Sequence, residues 1–339
     1  MKALTLLGPK ELTFAELEPP SPAVGEVTVR ISHLGLCGTD LGFYDGSSNY
    51  LHDGLKSYPF VPGHEWVGTV VDTGPEVSRE LLGRRVSGHN FRSCGRCGHC
   101  AAGRIRYCPD RSEIGVLGPR SGAAAELLTV PTATLSPIPD ELSDISAAML
   151  EPTAAAMHAV TRLGIRPGER VAVFGAGTLG SAAAQIARAA GAEVTVFEPN
   201  PGLAELTATL ALTAKPAPEA GDMDHYDAVI EASGAEAASS AAIHLAASGG
   251  RVAQLGTPHG TVPDFPASAL VIKDLTVHGV LSGVGHWDAL IALVRAGAVD
   301  LDALVDRVYP IDQAAAAFDR LAERGRSRPK VLLHFDTGN

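Results

Sequence analysis

The sequence predicts an α/β protein of two domains, a β-rich one followed by a doubly wound parallel sheet with helices on both faces. Three observations carry this expectation. The chain has 339 residues, more than one ordinary domain needs and fewer than three would use. Apolar residues make up 45% and aromatics only 5%; Ala, Val and Leu supply most of the rest, as in helix-covered parallel sheets rather than sandwiches. Near residue 150 the texture changes from Gly- and Pro-rich segments with short strand-like runs to Ala-rich helical stretches alternating with apolar runs.

Taken in order, residues 1–150 form the β-rich domain, in which Glu26-Val-Thr-Val-Arg-Ile-Ser32 alternates like a half-buried strand. Residues 151–285 read as βαβ units, with strands over 170–174, 193–197, 227–231 and 251–255 and a helix over 179–190. In the segment 286–339, helical patterns over 287–296 and 313–323 precede a strand over 330–335, and this tail is expected to return to the first domain.

The formal net charge is -11 and the acidic excess is spread along the chain. That argues against nucleic acid or an anionic membrane as partner and in favour of a small-molecule ligand. The N-terminus has only a short apolar stretch, ended by Gly8-Pro9, and no apolar run reaches membrane-spanning length. A cytoplasmic protein is the expectation.

Cysteine usage points to metal. Of the five cysteines, Cys94, Cys97, Cys100 and Cys108 form a compact set able to wrap a tetrahedral ion, the pattern of a closed structural zinc site. A zinc ribbon gripping nucleic acid would need a basic chain, and this one is acidic.

Gly175-Ala-Gly177-Thr178-Leu179-Gly180 directly follows an expected strand and opens an amphipathic helix, the context in which G-x-G-x-x-G means pyrophosphate binding. Gly175 suits a tight turn, Gly177 lets backbone approach the phosphates, Gly180 permits close helix–strand packing, and the helix N-terminus adds partial positive charge. Glu198 ends the next strand, 21 residues after Gly177, where a carboxylate hydrogen-bonds ribose hydroxyls. It would repel a 2′-phosphate, and Pro199-Asn200-Pro201-Gly202 offers no Arg or Lys to welcome one. NAD is therefore expected over NADP. S-adenosylmethionine enzymes share these two features, so the metal ligands must separate hydride from methyl transfer.

The fifth cysteine lies in Leu36-Cys37-Gly38-Thr39-Asp40, and Pro62-Gly63-His64-Glu65-Trp66-Val67-Gly68 follows. With the four-cysteine spacing, Glu151-Pro152, the glycine motif and Glu198 in the same order, these segments resemble the medium-chain zinc alcohol dehydrogenases over essentially the whole chain. The resemblance implies a GroES-like catalytic domain joined to a Rossmann domain, one catalytic and one structural zinc per chain, and a homodimer or homotetramer. It also implies that Cys37 and His64 hold the catalytic zinc, completed by Glu65, by Glu151, or by the two in exchange. Thr39 is then the proton relay, and Asp40 orients His64 by a hydrogen bond. An open zinc with such ligands is a Lewis acid that can bring a bound water from a pKa of 15.7 to about 7, and a bound alcohol gains similarly. The other histidines, His259 among them, read as structural or surface groups.

The Cys-Gly-Thr-Asp and Glu-Pro forms look most like polyol, threonine and cyclitol dehydrogenases, and Phe43-Tyr44-Asp45-Gly46 is similar to aminocyclitol enzymes. The substrate implied is small, polar and polyhydroxylated, a polyol or (amino)cyclitol whose secondary hydroxyl becomes a ketone, in an aminoglycoside-type biosynthesis. Sorbitol-like and L-threonine 3-oxidation are alternatives within the class; a non-catalytic NAD-sensing zinc protein and a methyltransferase are alternatives outside it. The stretch 47–57, with Asn49, Tyr50, His52, Asp53 and Lys56, reads either as a border of the substrate pocket or as an exposed loop.

Overall fold

The protein is described from a computed structural model covering residues 1–258 and 260–336; His259 lies outside the described residues. The chain divides into two compact units: Met1–Glu151 with Arg307–Glu323 and Lys330–Asn339, and Pro152–Asp306 with Arg324–Pro329.

The first unit is built on a seven-stranded sheet. Its order is Val305–Pro310, Lys330–His334, Glu26–Leu36, Glu65–Thr73, Arg85–Gly88 and Leu135–Pro137, with Leu127–Pro131 also pairing to Glu26–Leu36. The strand Glu26–Leu36 is not half-buried as its alternation suggests: all but Arg30, Ser32 and His33 are buried. It is an interior strand with antiparallel neighbours and a short helix, Asp144–Ala148, lying against it, so little of either face meets water.

Two registers place the functional side chains. Gly35 pairs with Glu65, and Leu36 pairs with Val331, so one end of the sheet gathers the residues around positions 37, 65 and 330. A Cβ on Gly35 would lie 2.3 Å from Glu65 Oε2, which is why glycine stands there. The C-terminal return is fastened by the helix Ala314–Ala322, whose Phe318 stacks on Tyr44 at 4.4 Å between ring centroids.

His89, just beyond the strand Arg85–Gly88, is buried with Nδ1 lacking a partner, and burial holds its pKa down at about 4. A histidine depressed in the folded state leaves stability intact above its unfolded pKa near 6.5 and costs stability as pH falls from there toward 4. We expect the H89Q variant to lose less stability than wild type between pH 7 and pH 5, by about 2 kcal/mol. Urea midpoints at the two pH values measure this, and equal losses in both proteins would refute it.

The second unit carries a six-stranded parallel sheet ordered Thr213–Lys215, Glu193–Phe197, Arg170–Phe174, Tyr226–Glu231, Ala246–Gln254, Thr276–Gly279. Chain progression reverses at Arg170–Phe174, so the crevice beyond the carboxyl ends of this strand and of Tyr226–Glu231 is the topological switch point where such sheets bind ligands. The outermost strands, Thr213–Lys215 and Thr276–Gly279, escape prediction because edge strands have one neighbour and carry no buried apolar run. Residues 286–304 also belong to this unit. The helix Trp287–Arg295 buries Trp287 and Leu290, and Gln185 closes a two-bond clasp on the backbone of Asp300, at 2.7 and 3.2 Å. Among the described residues no helix is long and apolar enough to cross a membrane.

Candidate active site and cofactor-binding elements

The strand Glu26–Leu36 ends immediately before Cys37, whose neighbours open the helix Gly38–Asp45. His64 and Glu65 sit at the start of the next strand, and Cys37 Sγ stands 3.5 Å from His64 Nε2. Zinc–sulfur and zinc–nitrogen bonds of about 2.3 and 2.05 Å at a tetrahedral angle place such a pair roughly 3.5 Å apart. Donor atoms of Cys37, His64 and Glu65 all lie within 4.8 Å of one another, so the residues fit a zinc ion.

Burial and the nearby Asp40 carboxylate push the Cys37 thiol up. For His64, burial opposes protonation, but Cys37 and Asp40 outweigh it and hold the imidazole well above its ordinary value. Glu151 is pushed up to about 7, mainly by burial of its carboxyl group and further by Glu65. A thiol, an imidazole and carboxylates brought together in this way suit a cation.

The expected Asp40–His64 hydrogen bond is absent. Asp40 Oδ1 is 3.7 Å from His64 Nδ1, within ion-pair distance but beyond hydrogen-bond range, and both atoms are buried without a hydrogen-bond partner. Asp40 Oδ2 is instead engaged by the backbone N–H of Cys37 at 3.1 Å, which shapes the turn that presents the thiol. Thr39, half-buried, lies in the first turn of the same helix, two residues from Cys37.

Glu65 has a partner that sequence reading missed. Lys330 Nζ is engaged with Glu65 Oε2, and both side chains are only 1% exposed. No local pattern marks Lys330, which lies 265 positions away and reads as the start of an apolar strand. Glu151 is close enough to feel His64, Glu65 and Lys330 but does not join the donor group of Cys37, His64 and Glu65.

The stretch 47–57 divides. Asn49, His52 and Asp53 are exposed, whereas Tyr50 is partly covered and Lys56 is buried, its ammonium donating to Gly118 O at 2.8 Å and lying over the Phe60 ring.

The other four cysteines converge. Their sulfurs all lie within 4.8 Å of one another, with Cys97–Cys100 at 3.5 Å and Cys94–Cys100 at 3.9 Å. Tetrahedral zinc with four sulfurs at about 2.3 Å requires separations near 3.8 Å, so these residues also fit the ion. Backbone N–H groups of Arg96 and Cys97 hold the Cys94 thiol down at about 6, and thiolates are the form that binds metal. All five cysteines are free of disulfides.

In the second unit, Gly175 takes φ +87° between the strand Arg170–Phe174 and the helix Thr178–Ala189. At Gly180 a Cβ would come within 1.9 Å of Gly175 O, so glycine is obligatory for the turn itself, while Gly177 has open space on its Cβ side. Thr178 and Leu179 begin the helix, where N–H groups lack intrahelical acceptors. Glu198 reaches back across the strand ends and accepts from Ala176 N and Asn200 N, both at 2.8 Å, which pins its carboxylate beside the glycine turn.

Comparison with known proteins agrees with these elements. Residues 23–140 match the alcohol dehydrogenase GroES-like domain and residues 178–296 the zinc-binding dehydrogenase domain. The chain belongs to the medium-chain zinc alcohol dehydrogenase superfamily, and it is an alcohol dehydrogenase dependent on zinc and a nicotinamide dinucleotide. It is 32% identical to L-threonine 3-dehydrogenase of Shewanella woodyi, over 99% of this chain and 100% of that one. It is also 32% identical to L-galactonate-5-dehydrogenase of Escherichia coli K12, over 99% of each chain. A Sinorhizobium meliloti 1021 protein solved with NADP superimposes with a TM-score of 0.88 at 30% identity, covering 98% of both chains.

Proposed function

We propose that this enzyme oxidises a secondary hydroxyl of a small polyol or aminocyclitol to a ketone, with NAD as hydride acceptor, in aminoglycoside-type biosynthesis. The convergence of Cys37 and His64 at 3.5 Å, with buried carboxylates beside them, carries the reading of the reaction centre. In it Cys37, His64 and either Glu65 or Glu151 hold the catalytic zinc, and Cys94, Cys97, Cys100 and Cys108 hold the structural one. When bound, the catalytic ion supplies Lewis acidity to the substrate oxygen. Thr39 accepts the hydroxyl proton and passes it outward. The backbone of Gly175, Gly177, Thr178, Leu179 and Gly180 holds the pyrophosphate, and Glu198 the adenosine ribose.

Five free thiols suit a reducing compartment, which supports a cytoplasmic location. The exposed Val271 and Ile272 on the helix Ala267–Ile272, next to the edge strand Thr276–Gly279, support assembly with further copies of the chain. Oxidation of L-threonine is the second reading, favoured by the threonine dehydrogenases at 32% to 33% identity.

Nicotinamide absorbance with zinc-loaded protein, NAD and a panel of aminocyclitols, inositols, sugar alcohols, threonine and simple alcohols tests the function. Turnover of the cyclitols or polyols is expected; turnover of threonine alone selects the second reading, and tight NADH binding with no turnover would favour a non-catalytic sensor. The cofactor preference rests on Glu198, because a carboxylate held by two backbone N–H groups repels a 2′-phosphate. The E198A variant is expected to raise the NADP-to-NAD ratio of kcat/KM at least tenfold, about 1.4 kcal/mol of differential binding. An unchanged ratio would place the ribose contact elsewhere.

A further inference from the structure

A buried acid next to the reaction centre has no role so far. Glu113 ends the short strand Ser112–Glu113, paired to Phe91, and is 5% exposed. The loop it begins lies on the residue before His64: Gly115 packs so closely on Gly63 that a Cβ would sit 2.3 Å from the Gly63 carbonyl oxygen. Ala123 N donates to that same oxygen at 2.9 Å, so the loop is tied down at both ends of its path past the site.

Tyr50 is brought to the same place by Lys56. The backbone N–H groups of Leu55 and Lys56 close on Tyr50 O at 2.9 Å, and Lys56 Nζ bonds Gly118 O, stapling the Tyr50 turn to the Glu113 loop. Electrostatics agree with this placement. Burial raises the Glu113 carboxyl against the pull of Arg111 and His64, and its charge in turn acts on Tyr50 and Glu151. Cys37 also acts on Tyr50.

One half of the Glu113 carboxylate is committed and the other is not. Arg111 Nε donates to Oε1 at 3.0 Å, while Arg111 Nη1 is spent on Arg106 O at 2.8 Å. Among the described residues no hydrogen bond reaches Oε2. Glu113 is 5% exposed, so this oxygen is the part of a largely buried carboxylate left open to a ligand, and it favours a cationic donor because charge-assisted hydrogen bonds are roughly twice as strong as neutral ones. It disfavours an anionic substituent by direct repulsion.

We propose that Glu113 is a specificity-determining residue that selects, among secondary alcohols, those bearing a protonated amine close to the reacting hydroxyl, with Tyr50 as its polar neighbour. This rests on the reading that the hydroxyl is oxidised at Cys37 and His64. It narrows the substrate class to amino alcohols and excludes substrates with a phosphate or carboxylate at that position. A site built around a buried acceptor discriminates strongly against analogues that fail to satisfy it.

The test is a matched pair, 3-amino-2-butanol and 2,3-butanediol, titrated into the zinc-loaded enzyme with NADH bound, read by the change in NADH fluorescence. Wild type is expected to bind the amine at least tenfold more tightly than the diol, and E113Q to bring that ratio to near one. E113D keeps the charge but withdraws it by one methylene; it is expected to give an intermediate ratio and serves should E113Q fold poorly. A wild-type ratio near one, or a ratio that survives E113Q, overturns the proposal whatever the absolute affinities. Turnover with NAD is measured separately. An amine preference lost in E113Q, without oxidation of any secondary alcohol by wild type, leaves the specificity role standing and rejects the proposed reaction.

Discussion

The C37S and H64A variants are each expected to lose turnover by a factor on the order of a thousand or more while NADH affinity stays within about twofold of wild type. The size follows from the several kcal/mol of charge stabilisation that a catalytic metal supplies, at 1.36 kcal/mol per tenfold in rate. Each variant removes one member of a donor group whose atoms lie within 4.8 Å. The glycine turn and Glu198 belong to the other compact unit, so dinucleotide binding is a separate readout of folding. Zinc analysis should show one equivalent lost and the Cys94, Cys97, Cys100 and Cys108 equivalent retained. Wild-type turnover in either variant would sink the assignment of the reaction centre.

The second large effect is expected from Lys330. Replacing it by Met leaves Glu65 charged, 1% exposed and without its ammonium partner. Breaking a buried pair from one side costs about 3–5 kcal/mol, much more than replacing both partners, because an uncompensated charge remains. The K330M variant is therefore expected to be destabilised by that amount in zinc-free protein, with part of the loss recovered when zinc is added and Glu65 has a cation again. The double variant K330M/E65Q should be more stable than K330M alone. Urea unfolding of the four proteins measures the coupling. Stability of K330M within about 1 kcal/mol of wild type would mean that the pair carries no such weight.

Lys330 also shows what a linear reading does not reach. Its strand reads as the apolar closing element of the chain, and a lysine at the first position of such a strand is ordinary. Only the pairing of Lys330–His334 beside Glu26–Leu36, itself beside Glu65–Thr73, brings the ammonium to the Glu65 carboxylate. The same holds for Glu113 and Lys56. Each is one charged residue in a polar stretch until the backbone folds the loop over Gly63 and closes the Tyr50 turn.

Local motifs behave differently, since their chemistry is carried by near neighbours. The glycine turn needs only a strand before it and a helix after it, and Gly180 is dictated by a contact with Gly175, five residues away. The four cysteines fall within a short loop whose span alone lets their sulfurs meet. Cys37 and His64 are farther apart, but both lie at ends of adjacent strands and their segments carry recognisable neighbours. Sequence by itself therefore determined the α/β class, the glycine turn between strand and helix, the four-thiol cluster and the pairing of Cys37 with His64. Tertiary structure alone decided that Asp40 Oδ1 stops 3.7 Å from His64 Nδ1, that Lys330 engages Glu65, and that the loop after Glu113 packs on Gly63. Those outcomes depend on strand register and loop packing between residues tens to hundreds of positions apart, where no local periodicity records the partner.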